Sequence, residues 1–351
     1  MRIFQCNHCY QPVFFENSYC GGCGHLLGYV DSVNEMFALS SYDSSWSING
    51  TQYTYCKNVE HGVCNWLVPE YKSSSYCTAC NLNRTIPDLR IDENKELWAK
   101  LEQAKHRLIY SLQRLGLPVI SKNNDLSGFC FDFLSSAVPD KNGNKPMTGH
   151  KSGEITIVLS EADSIQREQI RLSLEEPYRS LAGHFRHEIG HYYWPRLVLS
   201  DEHHLQRFRE LFGDEKVDYS QSLKTYYQTG GLKNWQNSFI SQYATAHPWE
   251  DWAETWAHYL HIINAMDTAY HFGLKGDPHL ANTEHMEIQS VDPYTNVSFQ
   301  KIIEETVPLF FAINSLNRSM GIPDIYPFVI SEPVKRKLEF IHEILLGHRI
   351  R

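Results

Sequence analysis

The 351-residue sequence has no stretch approaching 18 uninterrupted apolar residues, so no transmembrane helix is expected. Its first residues, MRIFQCNHCYQP, contain neither an apolar core segment nor a small-residue cleavage site, and a secretory signal is not expected. Positive charge is scarce: 32 Lys and Arg stand against 41 Asp and Glu, a net −9. Such a chain has no global field for nucleic acid or an anionic membrane. It also lacks a dense Lys/Arg run with interleaved aromatics, an internal repeat, a low-complexity block and coiled-coil heptads. With 42% hydrophobic and 21% charged residues, disordered and fibrous classes are excluded. The expected setting is the cytosol, where cysteine pairs bind metal more often than they form disulfides.

Cysteine is nearly absent beyond residue 80. Eight of the nine lie between Cys6 and Cys80, and Cys130 alone stands apart, read as a small core residue in a strand. Cys6-Asn-His-Cys9 and Cys20-Gly-Gly-Cys23 are two C-x-x-C knuckles ten residues apart. Each offers two thiolates on a tight turn, and together they complete the tetrahedron that zinc prefers. Gly21, Gly22 and Gly24 suit turns in which backbone passes close to sulfur. Cys56, Cys64, Cys77 and Cys80 form a second, looser set, with knuckle spacing only in its last pair. His8 and His25 are rival ligands for the first site, but four thiolates already saturate it, and cross-bracing between the sets stays open. Two structural zinc ions are expected. Long apolar stretches are few here, so metal rather than a core is expected to order residues 1–90.

After Pro87 the character changes. Leu97, Leu101, Ala104, Leu108 and Leu112 recur at helical spacing over 93–115, ended by Gly116 and Pro118. GFCFDFL (128–134) and EITIVLS (154–160) predict short strands around a turn-rich loop at 139–153. Helices are expected at 177–194, through much of the charged stretch to 227, and at 249–266, 298–319 and 332–346, with 267–295 irregular. The fold class is α+β. A zinc-ribbon region, 1–90, precedes a mainly helical domain with a small sheet, 91–351.

His187-Glu188-Ile189-Gly190-His191 fits the pattern H-E-x-x-H. Imidazoles four residues apart leave one helix face and reach one metal, and Glu188 beside them can serve as general base. The competing reading is a solvated His/Glu face. Gly183 and Gly190 each cost about 1 kcal/mol in a helix interior, which suggests a close neighbour. The segment HPWEDWAETWAHYLH (247–261) offers the third ligand. On a helical wheel Trp249, Trp252, Trp256, Leu260 and Ile263 form an apolar arc, while Asp251 and His258 point to a wet face. Glu250 sits at the arc's edge beside Ala253 and Ala257, which admit a close helix, and this favours Glu250 as ligand. Exchange of the roles of Glu250 and Glu254 stays open, as does a surface helix with an acidic face. His184, Tyr243, His247 and His258 are the candidate donors to an oxyanion.

The spacing around Glu250 resembles the third-ligand helix of the gluzincins. That resemblance implies that Glu254 orients a metal-binding histidine. The chain as a whole resembles the bacterial zinc-binding metallopeptidases that carry an N-terminal zinc ribbon. The segments bearing the likeness are CNHCYQPVFFENSYCGGCGHLLGY, CNWLVP, CTACNLNRTIPDL, AKHRLIYSLQRLGLPV, HFRHEIGHYYW and HPWEDWAETWAHYLH, in order over nearly the full length. It implies a zincin-like catalytic domain holding one zinc and acting on a peptide or protein. In zincins the strand before the active helix lies along the cleft and pairs with substrate; here that strand is 154–160. Pro195 departs from the family pattern and is expected to end or kink the helix just past His191. The function expected is a zinc peptidase with Glu188 as base. One alternative is a binding protein whose ribbons recognise a protein or nucleic acid and whose His187/His191 zinc is structural or idle; the absence of a dense Lys/Arg run counts against it. Another is hydrolysis of a non-peptide amide. Nucleic acid and membrane partners are not expected.

Overall fold

The structure, a computed structural model, describes residues 1–135, 143, 145–173, 176–279 and 286–350. Parts of the expected loop at 139–153 and of the stretch 267–295 therefore lie outside the described residues. Two compact units divide the chain: Met1–Gln113 with Pro118–Gln166, and Arg114–Leu117 with Arg167–Arg351. Among the described residues no helix is long and apolar enough to cross a membrane.

In the first unit the cysteine-rich front builds three small antiparallel sheets. Strand β1 (Phe4–Gln5) pairs with β2 (Pro12–Val13), β3 (Leu26–Val30) with β4 (Glu35–Leu39), and β5 (Trp46–Ile48) with β6 (Thr51–Tyr55), which pairs in turn with β7 (Leu67–Pro69). The front holds more core than its composition promised. Val30, Leu39, Ile48, Tyr53 and Leu67 form one buried cluster. Phe4, Phe15, Tyr29 and Trp66 form another through ring contacts. Aromatic pairs contribute about 0.5–1.5 kcal/mol each beyond their burial. The expectation that metal in place of a core orders this region is thereby corrected.

Helix α1 (Asp92–Arg114) forms on the leucine spacing and buries Leu101, Leu108 and Leu112, and Gly116 follows it at φ 72°, a left-handed stop. Its Tyr110 ring closes the aromatic cluster at 5.4 Å from Phe15. The unit is completed by a sheet of β8 (Asn83–Thr85), β9 (Cys130–Leu134), β10 (Gly149–Lys151) and β11 (Glu154–Val158) in the order β10-β11-β9-β8. Cys130 is fully buried there. Strand β10 pairs antiparallel with Glu154–Thr156 while β9 takes the other edge, so β11 is interior over that stretch. Its ladder groups are spent on β10. The expectation that this strand offers a free edge to substrate is corrected at those residues.

The second unit is helical. After α2 (Ser164–Ser173), which buries no residue, come α3 (Leu181–Trp194), α4 (Glu202–Phe212), α5 (Tyr219–Thr229), α6 (Pro248–His271), α7 (Phe299–Ser319) and α8 (Glu332–Ile350). Helix α3 starts at Ser180, whose side chain accepts the Gly183 N–H at 3.0 Å. It ends as expected at Pro195, which lacks an N–H and crowds the carbonyl four residues back; a π-helical turn, Pro195–Leu199, absorbs the mismatch.

Helix α6 extends to His271, so 267–271 is helical rather than irregular. It is also buried over most of its surface, with Glu254, His261, Ala265 and Thr268 half-buried along one side. Asp251 and His258, expected on a wet face, are 1% and 4% exposed. Lys337 of α8 pairs with Asp251 at 2.6 Å, and the Tyr326 hydroxyl lies 2.9 Å from His258 Nδ1. A buried charge persists only where it is paired, and here it is. This burial overturns the reading of α6 as a surface helix with an acidic face.

Gly190 sets the approach of α3 to α6. A Cβ there would stand 3.1 Å from Trp256 Cδ1 and 3.3 Å from the Ala253 Cα, and the Trp252 indole donates to the Gly190 carbonyl at 2.9 Å. Gly190→Val should therefore destabilise the fold by about 1–3 kcal/mol, as overpacking does. Chemical denaturation reads it; an unchanged midpoint would show the helices yield freely. Gly183 also faces α6, where a Cβ would stand 3.6 Å from His261 Nε2, besides its own cap Ser180.

Candidate functional site

The two cysteine sets stay separate. Cys6, Cys9, Cys20 and Cys23 bring their sulfurs together, as do Cys56, Cys64, Cys77 and Cys80, with no cross-bracing between them. Sulfur separations are 3.7 Å for Cys6–Cys23, 3.5 Å for Cys9–Cys20 and 3.7 Å for Cys64–Cys77. A disulfide needs about 2 Å. Bonds of about 2.3 Å to one zinc ion hold sulfurs about 3.8 Å apart, which both sets match. The knuckles of the first set are alike: Tyr10 N–H donates to the Cys6 carbonyl and Gly24 N–H to that of Cys20, with φ 63° and 74°. Only Gly24 of the three glycines is left-handed; Gly22 packs against Gln11 and Cys9, and Gly21 borders open space.

The second set is entirely buried. Burial pushes the thiols of Cys64, Cys77 and Cys80 well above the ordinary range, while hydrogen bonds from Cys64, Cys77 and Cys80 hold Cys56 far below it. Four thiols this close ionise together only around a cation, so the donor chemistry fits a bound metal. Helix α1 supports this set with residues the sequence reading missed. His106 Nε2 lies 3.7 Å and Glu102 Oε2 3.8 Å from Cys80 Sγ, and Lys105 pairs with Glu102 at 2.8 Å.

The third cluster lies wholly in the second unit. His187 and His191 bring their Nε2 atoms to 3.1 Å, and Glu250 Oε2 stands 3.0 and 3.5 Å from them. Donors bonded tetrahedrally to one zinc at about 2.1 Å lie about 3.4 Å apart, so this triangle has the right size. Glu254 Oε1 takes the other nitrogen of His187, Nδ1, at 2.6 Å. A proton held there leaves the Nε2 lone pair facing Glu250. Three acceptor atoms converge on one point, an arrangement that a shared proton or a metal cation relieves.

Two comparisons bear on this. Residues 94–344 match the profile of the family described as "Putative zinc-binding metallo-peptidase", and residues 3–91 match a zinc-ribbon domain. The chain belongs to this metallopeptidase family. Uncharacterized proteins of Mycobacterium bovis and of two Mycobacterium tuberculosis strains are each 42% identical over 346 residues, covering 98% of this chain and 95% of theirs. No solved structure matches.

Within this family member, Glu250 and Glu254 occupy different places. Glu250 stands in the first turn of α6, where the helix dipole favours negative charge. Although burial opposes its ionisation, His191 and His187 hold its carboxyl well below the usual range. Burial likewise opposes ionisation of Glu254, yet the His187 hydrogen bond brings it to about 2. Glu188 is buried, which raises its pKa, and the charges that oppose this are His187 and His191.

The oxyanion candidates now separate. His247 caps α6, accepting the Trp249 N–H at 3.1 Å, and its Nε2 donates to the Val217 carbonyl at 3.0 Å. His258 is spent on Tyr326, and burial followed by the nearby Arg179 charge lowers His184 to about 3. The Tyr243 ring lies 5.9 Å from that of His187, and Tyr226 packs behind it at 5.5 Å. Burial raises Tyr243 far above its ordinary range, so its hydroxyl keeps its proton. Tyr219 was missed. Its hydroxyl donates to Glu250 Oε1 at 2.7 Å, and no sequence spacing ties it to a carboxylate 31 residues away.

Proposed function

We propose that this metallopeptidase family member is an active zinc-dependent peptidase, its catalytic zinc held by His187, His191 and Glu250. The observation that carries the reading is the convergence of those three donor atoms from two packed helices, with Glu188 beside them. Zinc bound there with one open position would lower the pKa of a water to about 7 and polarise a peptide carbonyl. Glu188 accepts the proton of the attacking water and returns it to the leaving amine. Glu254 holds His187 in the tautomer that binds, and Tyr219 steadies the outer oxygen of Glu250. Tyr243 donates its hydroxyl to the carbonyl oxygen as negative charge grows there.

In this reading the ribbon region, 1–90, holds two structural zinc ions, one in each cysteine set, and the domain 91–351 holds the third. The substrate is a peptide or protein met in the cytosol. Digestion of a broad peptide library with and without a chelator tests it. Chelator-sensitive cleavage of peptide bonds is expected; a fully zinc-loaded protein that cleaves nothing would favour a binding role instead. Tyr243→Phe should lower kcat by roughly 10²–10³-fold with KM little changed. An unaltered kcat would remove Tyr243 from the reaction.

A further inference from the structure

His8 and His25 have no part in the four-sulfur tetrahedron, yet the fold brings them together on its outer side. Their rings stack at 3.9 Å between centroids, inclined by 29°. One nitrogen of each and the sulfur of Cys23 lie within 4.8 Å of one another. His8 is exposed, and His25 and Cys23 are half-buried, so solvent reaches the group. We infer that His8, His25 and the Cys23 sulfur form an auxiliary, exchangeable metal site that shares Cys23 as a bridging thiolate with the first ribbon zinc.

The two histidines come from different knuckles, His8 between Cys6 and Cys9 and His25 just past Cys23. The turns that carry them are closed: Cys20 N–H donates to the His25 carbonyl at 2.8 Å, and around His8 the Cys6 N–H donates to the Gln11 carbonyl at 2.9 Å. The convergence is thus built by the same turns that hold the sulfurs. Neither imidazole makes a hydrogen bond or ion pair among the described residues, whereas His106, His247, His258 and His342 each spend a ring nitrogen on the protein. Ring stacking alone contributes about 0.5–1.5 kcal/mol and asks nothing of Cys23.

Charge supplies the driving force. Four thiolates around one divalent cation carry a net charge of about −2. The second cysteine set is shut off from solvent and borders a buried Lys105–Glu102 ion pair. On the first set the Cys23 sulfur is instead half-exposed beside the two stacked imidazoles. A second divalent cation there would neutralise the cluster. Two imidazoles and a thiolate select a borderline-soft ion such as zinc over calcium or magnesium, which prefer oxygen. Three ligands, one of them shared, hold it more loosely than four thiolates.

Equilibrium dialysis of the full-length protein against Zn²⁺ tests the site, reading bound metal rather than hydrolysis. The wild-type protein should saturate one equivalent above the His8→Ala/His25→Ala double variant, and a mild chelator should remove that equivalent first. Each single variant should weaken the extra equivalent at least tenfold, and Mg²⁺ should not compete. Equal counts in the two proteins would overturn the site. Uptake that never saturates would do the same, as would a loss of more than one equivalent, which would make the histidines part of the ribbon's own zinc site.

Discussion

Glu188→Gln should lower kcat by roughly 10²–10⁴-fold, the usual worth of a positioned general base, while the protein keeps its full complement of zinc. The substitution retains shape and removes only the ability to carry a proton. Glu188 is 9% exposed, and an amide in its place leaves no unpaired charge in the interior, so the fold should survive. Its side chain is not among the three converging metal donors, which is why metal content and activity should part company. The measurements are metal content by elemental analysis and turnover on a cleaved library peptide. Full activity in this variant would falsify the proposed mechanism.

Glu250→Gln and Glu254→Gln should have unequal effects on metal. Glu250 Oε2 faces Nε2 of both histidines, so its loss should drop the tightly held zinc, counted after a mild chelator has removed the exchangeable equivalent, from about three equivalents to about two. Glu254 touches only the far nitrogen of His187, and its loss should weaken the same zinc by roughly 10–100-fold without abolishing binding. His187→Ala should match Glu250→Gln in losing one equivalent. Zinc counts after dialysis against graded chelator separate the cases. If Glu254→Gln loses the equivalent and Glu250→Gln keeps it, the two carboxylates exchange roles.

Much of this was legible because metal chemistry leaves short-range marks. The C-x-x-C knuckles and H-E-x-x-H each place their donors within one turn, so spacing alone brings Cys6 to Cys9 and His187 to His191. The small residues Gly190 and Ala253 announced a close helix pair, and the two helices do meet there. Other features left no such mark. A wheel drawn for α6 assigned Asp251 and His258 to water because it could not show that α8 and the segment around Tyr326 cover that side. The interior position of β11 depends on Gly149–Lys151 folding back upon it, a pairing that EITIVLS does not encode. Tyr219 reaches Glu250 from another helix.

The sequence by itself determined which cysteines and histidines stand at metal-ligand spacing, eight cysteines in the front segment and a histidine pair on one helix. It did so because ligand chemistry and turn geometry act over a few residues. Only the tertiary structure decided that Glu250 meets Nε2 while Glu254 meets Nδ1, and that His247 spends both ring nitrogens on backbone groups. The first outcome depends on how closely and at what rotation α3 and α6 pack, and Gly190 against Trp256 and Ala253 sets that approach across more than 60 residues of intervening chain.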